Sequence, residues 1–294
     1  MTCVGGILLG KEKTIRLSLA ALIAGGHLLI EDLPGMGKTI LAHTLARVLG
    51  LQFRRVQFTN DMLPGDLTGT SVFDRETGKF VFHEGPIFTE VLLADEINRA
   101  SPKTQSALLE AMEERQVSFD GISRPLPPSF FVIATQNPID QHSTNPLPEA
   151  QLDRFMMRLS IGYPDAESEI GILRGEDRRA QLSLLNPIMD SQMLAVLQTQ
   201  ARHIHAADSL LGYIRELAEH TRNTARLSFG LSPRGAQALL AAARAWALLA
   251  GRGHALPDDV QAVFPAVVPH RLGLGNAMEC ESHSRDLLDA VPLP

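Results

Sequence analysis

Cysteine is nearly absent: Cys3 and Cys280 are the only two in 294 residues, and they stand near opposite ends of the chain. Two such distant thiols make no disulfide framework, so an ordinary hydrophobic core must hold the fold. Lysine is also rare, confined to positions 11, 13, 38, 79 and 103, and arginine supplies most of the positive charge. The net charge is −6. That counts against a general nucleic-acid or membrane-surface binder, since both need a basic face. No apolar run reaches the roughly 18–20 residues that a membrane-crossing helix needs. The apolar opening at residues 5–10 is too short for a span and lacks the layout of a signal peptide. A cytoplasmic location is expected.

What is present suits a soluble protein: 45% hydrophobic and 20% charged residues, with length for one large domain or a large and a small one. Residues 27–31 are a short apolar run entering a Gly/Pro turn, which reads as a buried strand. Helical spacing follows from Lys38, with Ile40, Leu41, Leu45, Val48 and Leu49 on one face and a stop at Gly50. Residues 53–58 alternate as a second strand. A stretch rich in Gly, Pro, Asp and Thr covers 59–85, interrupted by a hairpin-like pair around Val72-Phe73 and Phe80-Val81-Phe82. Residues 90–97 read as another buried strand, with Val91-Leu92-Leu93-Ala94 leading into two acids.

Ser101-Pro102 opens a helix to about Arg115, with an N-cap, a proline at the first helical position, and Ala107, Leu108, Ala111 and Met112 inward. A hairpin around Asp120-Gly121 is predicted over 116–126. A buried strand at 130–134, a short helix at 149–155 and a strand at 156–161 follow. Beyond Pro164 no strand pattern remains, and helical periodicity recurs near 165–175, 191–204, 208–224, 234–250 and 257–268. Strands alternating with helices and then a helical block predict an α/β domain plus a small all-α domain. The boundary is expected between Tyr163 and Asp190.

Gly35-Met36-Gly37-Lys38-Thr39 stands between the first strand and its helix, the setting a phosphate loop requires. Glycines let backbone N–H groups converge on a phosphate without Cβ interference, and the helix N-terminus adds its positive end. Pro34, Gly35, Met36, Gly37, Lys38, Thr39 and Ile40 are therefore expected to line bound ATP. Lys38 would reach the β- and γ-phosphates, and the Thr39 hydroxyl would ligate Mg²⁺. One departure is plain. The full pattern has glycine five residues before Gly37, where this chain carries Asp32.

The acids Asp95 and Glu96 end an apolar strand, where they are costly without a partner. Mg·ATP supplies one: Asp95 would hold the metal through water, and Glu96 would orient or deprotonate the attacking water. Asn137 follows the strand at 130–134, where it either helps to position that water or serves as a turn residue before Pro138. Arg154 and Arg234 are either surface charges or guanidinium groups aimed at a γ-phosphate. A purely structural reading pairs Arg154 with Glu149 or Asp153 on its own short helix.

Several runs together resemble the MoxR family of AAA+ ATPases. They are the segment 26–39 around the phosphate loop, Leu63-Pro64-Gly65-Asp66-Leu67-Thr68-Gly69, and Leu93-Ala94-Asp95-Glu96-Ile97-Asn98-Arg99-Ala100. Ala134-Thr135-Gln136-Asn137-Pro138, the segment 147–155 and Ser232-Pro233-Arg234 complete the match, in the family's order and spacing from Gly26 to Arg234. The family often carries an aspartate at the position of Asp32. The resemblance implies a P-loop AAA+ domain, a parallel sheet flanked by helices, over 1–163, a connecting helical segment over 164–190 and an all-α lid over 191–294. It implies that Asn137 is the sensor 1 residue, Arg154 the arginine finger and Arg234 the sensor 2 arginine, acting in cis or in trans. The 60–85 stretch resembles the helix-2 insertion that lines the ring's pore, 116–126 the hairpin before sensor 1, and 7–10 the adenine-side segment. Hexameric rings, a partner with a von Willebrand factor A (VWA) domain, and maturation of a client complex are further implications.

Two rival functions remain at this stage. One is a metal chelatase or helicase motor subunit of the same clade, the helicase being disfavoured by the acidic charge. The other is a scaffold that binds ATP and barely turns it over, which the presence of both Asp95 and Glu96 argues against. Ten histidines form no HExxH motif and no Cys/His pairing, so no metal beyond Mg²⁺ is expected. Trp246 reads as core packing.

Overall fold

Apolar residues at every position of a strand are buried only when helices or loops cover both faces of its sheet. The computed structural model describes residues 10–138, 144–174, 182, 185–224, 227, 229–274 and 280–294. Its strands are β1 (Leu28–Glu31), β2 (Phe53–Gln57), β3 (Gly69–Asp74), β4 (Lys79–Glu84), β5 (Val91–Asp95), β6 (Gln116–Phe119), β7 (Ile122–Pro125), β8 (Phe131–Gln136) and β9 (Met157–Leu159). Five of them form one sheet in the order β2-β5-β8-β1-β9, every neighbouring pair parallel. β3–β4 and β6–β7 are separate antiparallel hairpins. Asp120 and Gly121 turn the second hairpin with φ of 51° and 74°, the left-handed pair that a two-residue turn demands.

The helices are α1 (Glu12–Ile23), α2 (Lys38–Val48), α3 (Pro64–Thr68), α4 (Pro102–Glu114), α5 (Glu149–Leu152) and α6 (Ala166–Leu173). They continue as α7 (Ser191–His203), α8 (Asp208–Asn223), α9 (Pro233–Leu249), α10 (Pro257–Val267) and α11 (Cys280–Asp289). Ser101 Oγ accepts from Thr104 N–H at 3.3 Å, and Ser232 Oγ from Gly235 N–H at 3.0 Å, so both expected serine caps are in place. After β9 the described residues hold no strand beyond the isolated bridge between His205 and His254. None of their helices is long and apolar enough to cross a membrane.

Side-chain alternation splits the sheet's residues between two cores. Leu28, Ile30, Leu93 and Ile133 join α1, α2 and the C-terminal helices, whereas Leu29, Leu92, Ala94, Val132 and Ala134 face α4, Leu67 and Phe155. The first core runs without a break from the sheet into the helical block, with α9 packed on α1, α7, α8 and α10. Trp246 packs at its edge, 4.1 Å from the Arg16 guanidinium.

Differences from the sequence expectation are local. The helix expected at 149–155 stops at Leu152, and Phe155 is fully buried instead. Helix α4 buries Thr104, Gln105 and Leu109 as well as three of its expected inner residues, while Ala107 is only half-buried. Ile7, Leu8 and Leu9 of the expected adenine-side segment lie outside the described residues, as do 175–181, 183 and 184 of the connecting segment.

His27 enters β1 fully buried. Val132 N–H donates to its Nδ1 at 3.0 Å, so the ring proton sits on Nε2, 3.3 Å from the Met112 carbonyl. Burial, with the nearby Arg115 charge, pushes its pKa down to about 3. Burial beside Arg271 and Arg158 lowers His270 as well. The unfolded chain takes up protons on these rings near pH 6.5, and the folded chain does not. Stability is therefore complete above pH 6.5 and falls as pH drops toward 3. From His27 alone the loss at pH 5 is about 2 kcal/mol. Urea unfolding at pH 7.5 and 5.0 measures it, and a stability that stays level or rises toward pH 5 would contradict neutral burial.

Candidate functional site

In a parallel sheet the C-terminal strand ends lie at one edge, and ligands bind in the crevice there. The register aligns Ile30 with Thr135 and Ala94 with Ala134, so the loop after β1, the acids after β5 and Asn137 after β8 leave the sheet together. The sequence-predicted residues Pro34 to Ile40, Asp95, Glu96 and Asn137 share this edge.

Gly35 and Gly37 have φ of 85° and 87°, and Gly37 caps helix α2. L-residues avoid that conformation, and a Cβ at Gly35 would meet nothing within 4 Å, so the loop's outer face is open to a ligand. Lys38 Nζ donates to the carbonyls of Asp32 at 2.6 Å and Leu33 at 3.3 Å, a half-buried ammonium curled back on its own loop. Burial lowers its pKa, and the carboxylates of Asp32, Asp95 and Glu96 oppose that shift. Asp32 itself explains the missing glycine. Its buried Oδ2 accepts from Ile161 N–H, from Gly162 N–H at 3.1 Å and from Ser160 Oγ at 3.1 Å. The start of the loop is thus tied to the chain that leaves β9 for the helical block.

Asp95 is buried, and Thr135 Oγ1 donates to its Oδ1 at 2.5 Å. Arg55, on the neighbouring strand β2, donates to Oδ2 from Nη2 at 2.7 Å and Nε at 3.1 Å. Glu96 sits at φ 56°, a left-handed conformation that costs a non-glycine residue about 1 kcal/mol or more. Its N–H donates to Thr135 Oγ1 at 2.9 Å, and its Oε2 accepts from Gln57 Nε2 at 2.8 Å and Arg99 Nη1 at 3.0 Å. From this backbone the Glu96 carboxylate reaches Gln57 and Arg99, whereas that of Asp95 is held by Thr135 and Arg55.

The donor set fits magnesium and a triphosphate. Among the described residues Asp95 Oδ1 accepts one bond, from Thr135, which leaves it a second lone pair for a metal-bound water. Among the described residues no three His, Cys, Asp or Glu side chains cluster as a ready-made metal cage. Mg²⁺ commonly binds in this way, through one or two protein oxygens plus phosphate and water.

Arg154 and Arg234 are at the other end of the sheet. Arg154 precedes β9, whose N-terminal end bonds to that of β1 (Met156 N–H to His27 O, 2.8 Å). Both arginines line a cavity of about 240 Å³ with Gly25, Gly26 and His27 at the foot of β1. Strand β1 separates them from the phosphate loop by about five steps of ~3.3 Å. They are brought together by Glu113 in the last turn of α4, whose Oε2 is 3.0 Å from Arg154 Nε and Oε1 2.8 Å from Arg234 Nη1. Arg154 therefore pairs with neither Glu149 nor Asp153. Asp153 is taken by the deeply buried Arg271, at 2.6 Å.

Comparison with known proteins identifies the family. Residues 27–157 match the model for the ATPase family associated with various cellular activities (AAA), and 219–290 match an AAA lid domain. Chaperone MoxR1 of Mycobacterium tuberculosis is 40% identical, over 98% of this chain and 80% of that protein. Protein MoxR of Paracoccus denitrificans is 35% identical, over 99% and 94%. The chain belongs to the MoxR family of AAA+ ATPases. The uncharacterized protein YeaC of Bacillus subtilis is 44% identical over 99% of this chain and 92% of its own length. The crystal structure of a candidate ATPase from Cytophaga hutchinsonii superposes with a TM-score of 0.88 at 36% identity, covering 100% of this chain and 93% of that one.

In this MoxR-family chain Arg99 and Thr135 fall inside recognised motif runs without a role of their own, and Arg55, Gln57 and Glu113 carry no motif at all. Arg55 and Gln57 had one legible signal. They are two apart on β2, so both side chains fall on one face, and Gln57 pairs in register with Asp95. Glu113 had none, because its partners are 41 and 121 residues away along the chain.

Proposed function

We propose that this chain is a Mg·ATP-hydrolysing ring subunit that remodels a client protein, with each active site completed by the neighbouring subunit. The α/β domain over 1–163 carries the nucleotide, 164–190 connects, and the lid spans 191–294. Lys38 and the backbone N–H groups of 35–39 would hold the phosphates, and Thr39 and Asp95 the metal. Glu96 would take the proton of the attacking water, with Asn137 beside it. When bound, Mg²⁺ neutralises charge on the phosphates.

The observation that carries this reading is the split placement of the residues. The residues we assign to the nucleotide lie at one end of the sheet, while Arg154 and Arg234 lie at the other, out of reach of the phosphate loop in their own chain. Two guanidinium groups converging there suit the terminal phosphate of a nucleotide on the adjacent subunit. Both arginines are thus assigned in trans. A closed ring, six-membered as the family resemblance implies, is the assembly in which every site is completed this way.

Client remodelling is supported by the name of the M. tuberculosis relative and by an apolar surface on the insertion. Phe80, on the β3–β4 hairpin, is 73% exposed, and Phe73 is 52% exposed beside it. Exposed aromatics side by side on one hairpin support a protein-binding role for it. A VWA-domain partner and a cofactor-maturation role are the finer assignments that the family resemblance adds.

Lys38→Ala tests the nucleotide site. Without the ammonium, the β- and γ-phosphates lose their main side-chain partner, and saturable binding of a fluorescent ATP analogue should vanish. Retained tight binding in the purified variant would remove the assignment.

A further inference from the structure

Arg154 and Arg234 are 80 positions apart in sequence and belong to different parts of the fold. One precedes β9, and the other opens α9. Like charges brought side by side repel unless a counter-charge joins them. Glu113 is that counter-charge. Each of its carboxylate oxygens takes one guanidinium, Oε2 that of Arg154 and Oε1 that of Arg234. The cavity's other carboxylate, Asp153, is committed to Arg271.

The bonding leaves both arginines capable of more. Glu113 uses only Nε of Arg154 and Nη1 of Arg234, and among the described residues neither side chain makes a further hydrogen bond or ion pair. The Nη1 and Nη2 groups of Arg154, with Nε and Nη2 of Arg234, remain available as donors. Planar guanidinium groups fixed from behind by one carboxylate present their other edges to an incoming anion.

We infer that Glu113 is a positioning residue: it yokes Arg154 and Arg234 into one two-armed fork for the terminal phosphate of the ATP on the adjacent subunit. The inference rests on the trans reading above and adds a residue to it. Glu113 touches no reacting atom. Its contribution is orientation, where a misplacement of about 1 Å costs on the order of 100-fold in rate.

Glu113→Ala and the isosteric Glu113→Gln test this in the full-length protein. The glutamine side chain would keep one acceptor oxygen and replace the other with an amide nitrogen that cannot accept from the second guanidinium. Both variants should lose about 100-fold in kcat and keep the wild-type affinity for a fluorescent ATP analogue, because their own phosphate loop is untouched. Glu113→Asp should recover part of the loss. Mixed with Lys38→Ala protein, Glu113→Ala should regain activity, since the Lys38→Ala neighbour still offers an intact fork. Wild-type or faster turnover in Glu113→Gln would overturn the yoke, faster turnover marking a lock on the arginines instead. So would a loss that mixing leaves unchanged while an Arg154→Ala mixture recovers. If the Arg154→Ala mixture also stays inactive, the trans reading itself fails.

Discussion

Glu96→Gln should bind ATP as tightly as the wild-type chain and hydrolyse it at about 1% of the wild-type rate or less. Proton removal by a positioned carboxylate is worth about 10²–10⁴-fold, and the amide of glutamine cannot supply it. Two features single out Glu96 rather than Asp95 as the base. Asp95 is buried with both oxygens committed, one to Thr135 and one to Arg55. The Glu96 side chain is 31% exposed against 11% for Asp95, and among the described residues it bonds only to Gln57 and Arg99. Affinity should hold because the phosphate loop is unaltered. Single-turnover hydrolysis and analogue titration on the same preparation check both halves. Turnover within about twofold of wild type would mean that another group activates the water.

Arg154→Ala should have a loss at least as large, with a different cause. A guanidinium supplied to the terminal phosphate from a neighbouring subunit meets charge that develops in the transition state and is worth roughly 10³–10⁵ in rate. The variant should therefore lose most of its kcat while its KM for ATP changes little, the pattern of an interaction made in the transition state. If Arg154 did no more than pair with Glu113, its loss would hardly touch turnover. That pair is about a third exposed on both sides, and such contacts contribute about 0–1 kcal/mol to stability.

The α/β architecture is largely legible in the sequence. β1, β5 and β8 announce themselves as apolar runs because helices cover both faces of the sheet, and the serine-proline starts of α4 and α9 are strong local signals. The candidate phosphate loop and acidic pair stand out equally, because the chemistry proposed for them needs contiguous residues. Helix α1 was not legible. It has no side-chain cap, and Ile15, Leu17, Ser18, Ala20, Ala21, Leu22 and Ile23 are all buried, which blurs the single apolar stripe of a surface helix. Asp32 stood out only as a mismatch, because its hydrogen-bond partners lie about 130 residues further on. Local context leaves Arg154 and Arg234 open between surface charges and phosphate ligands, and only the family resemblance gives them roles. Their meeting at Glu113, at the far end of the sheet from the phosphate loop, is a long-range fact that no window of sequence contains.

Whether each site is shared between two subunits is tested most directly by mixed assemblies. An Arg154→Ala subunit keeps its phosphate loop and lacks the fork it would lend. A Lys38→Ala subunit lacks the loop and keeps the fork. Apart, both should be nearly inactive. Mixed in equal amounts and measured for ATP hydrolysis, they should regain a clear fraction of wild-type activity, because some ATP-bearing Arg154→Ala subunits then face an intact Arg154. Activity no greater than the sum of the separate variants, with sedimentation showing that both still assemble, would contradict a shared site.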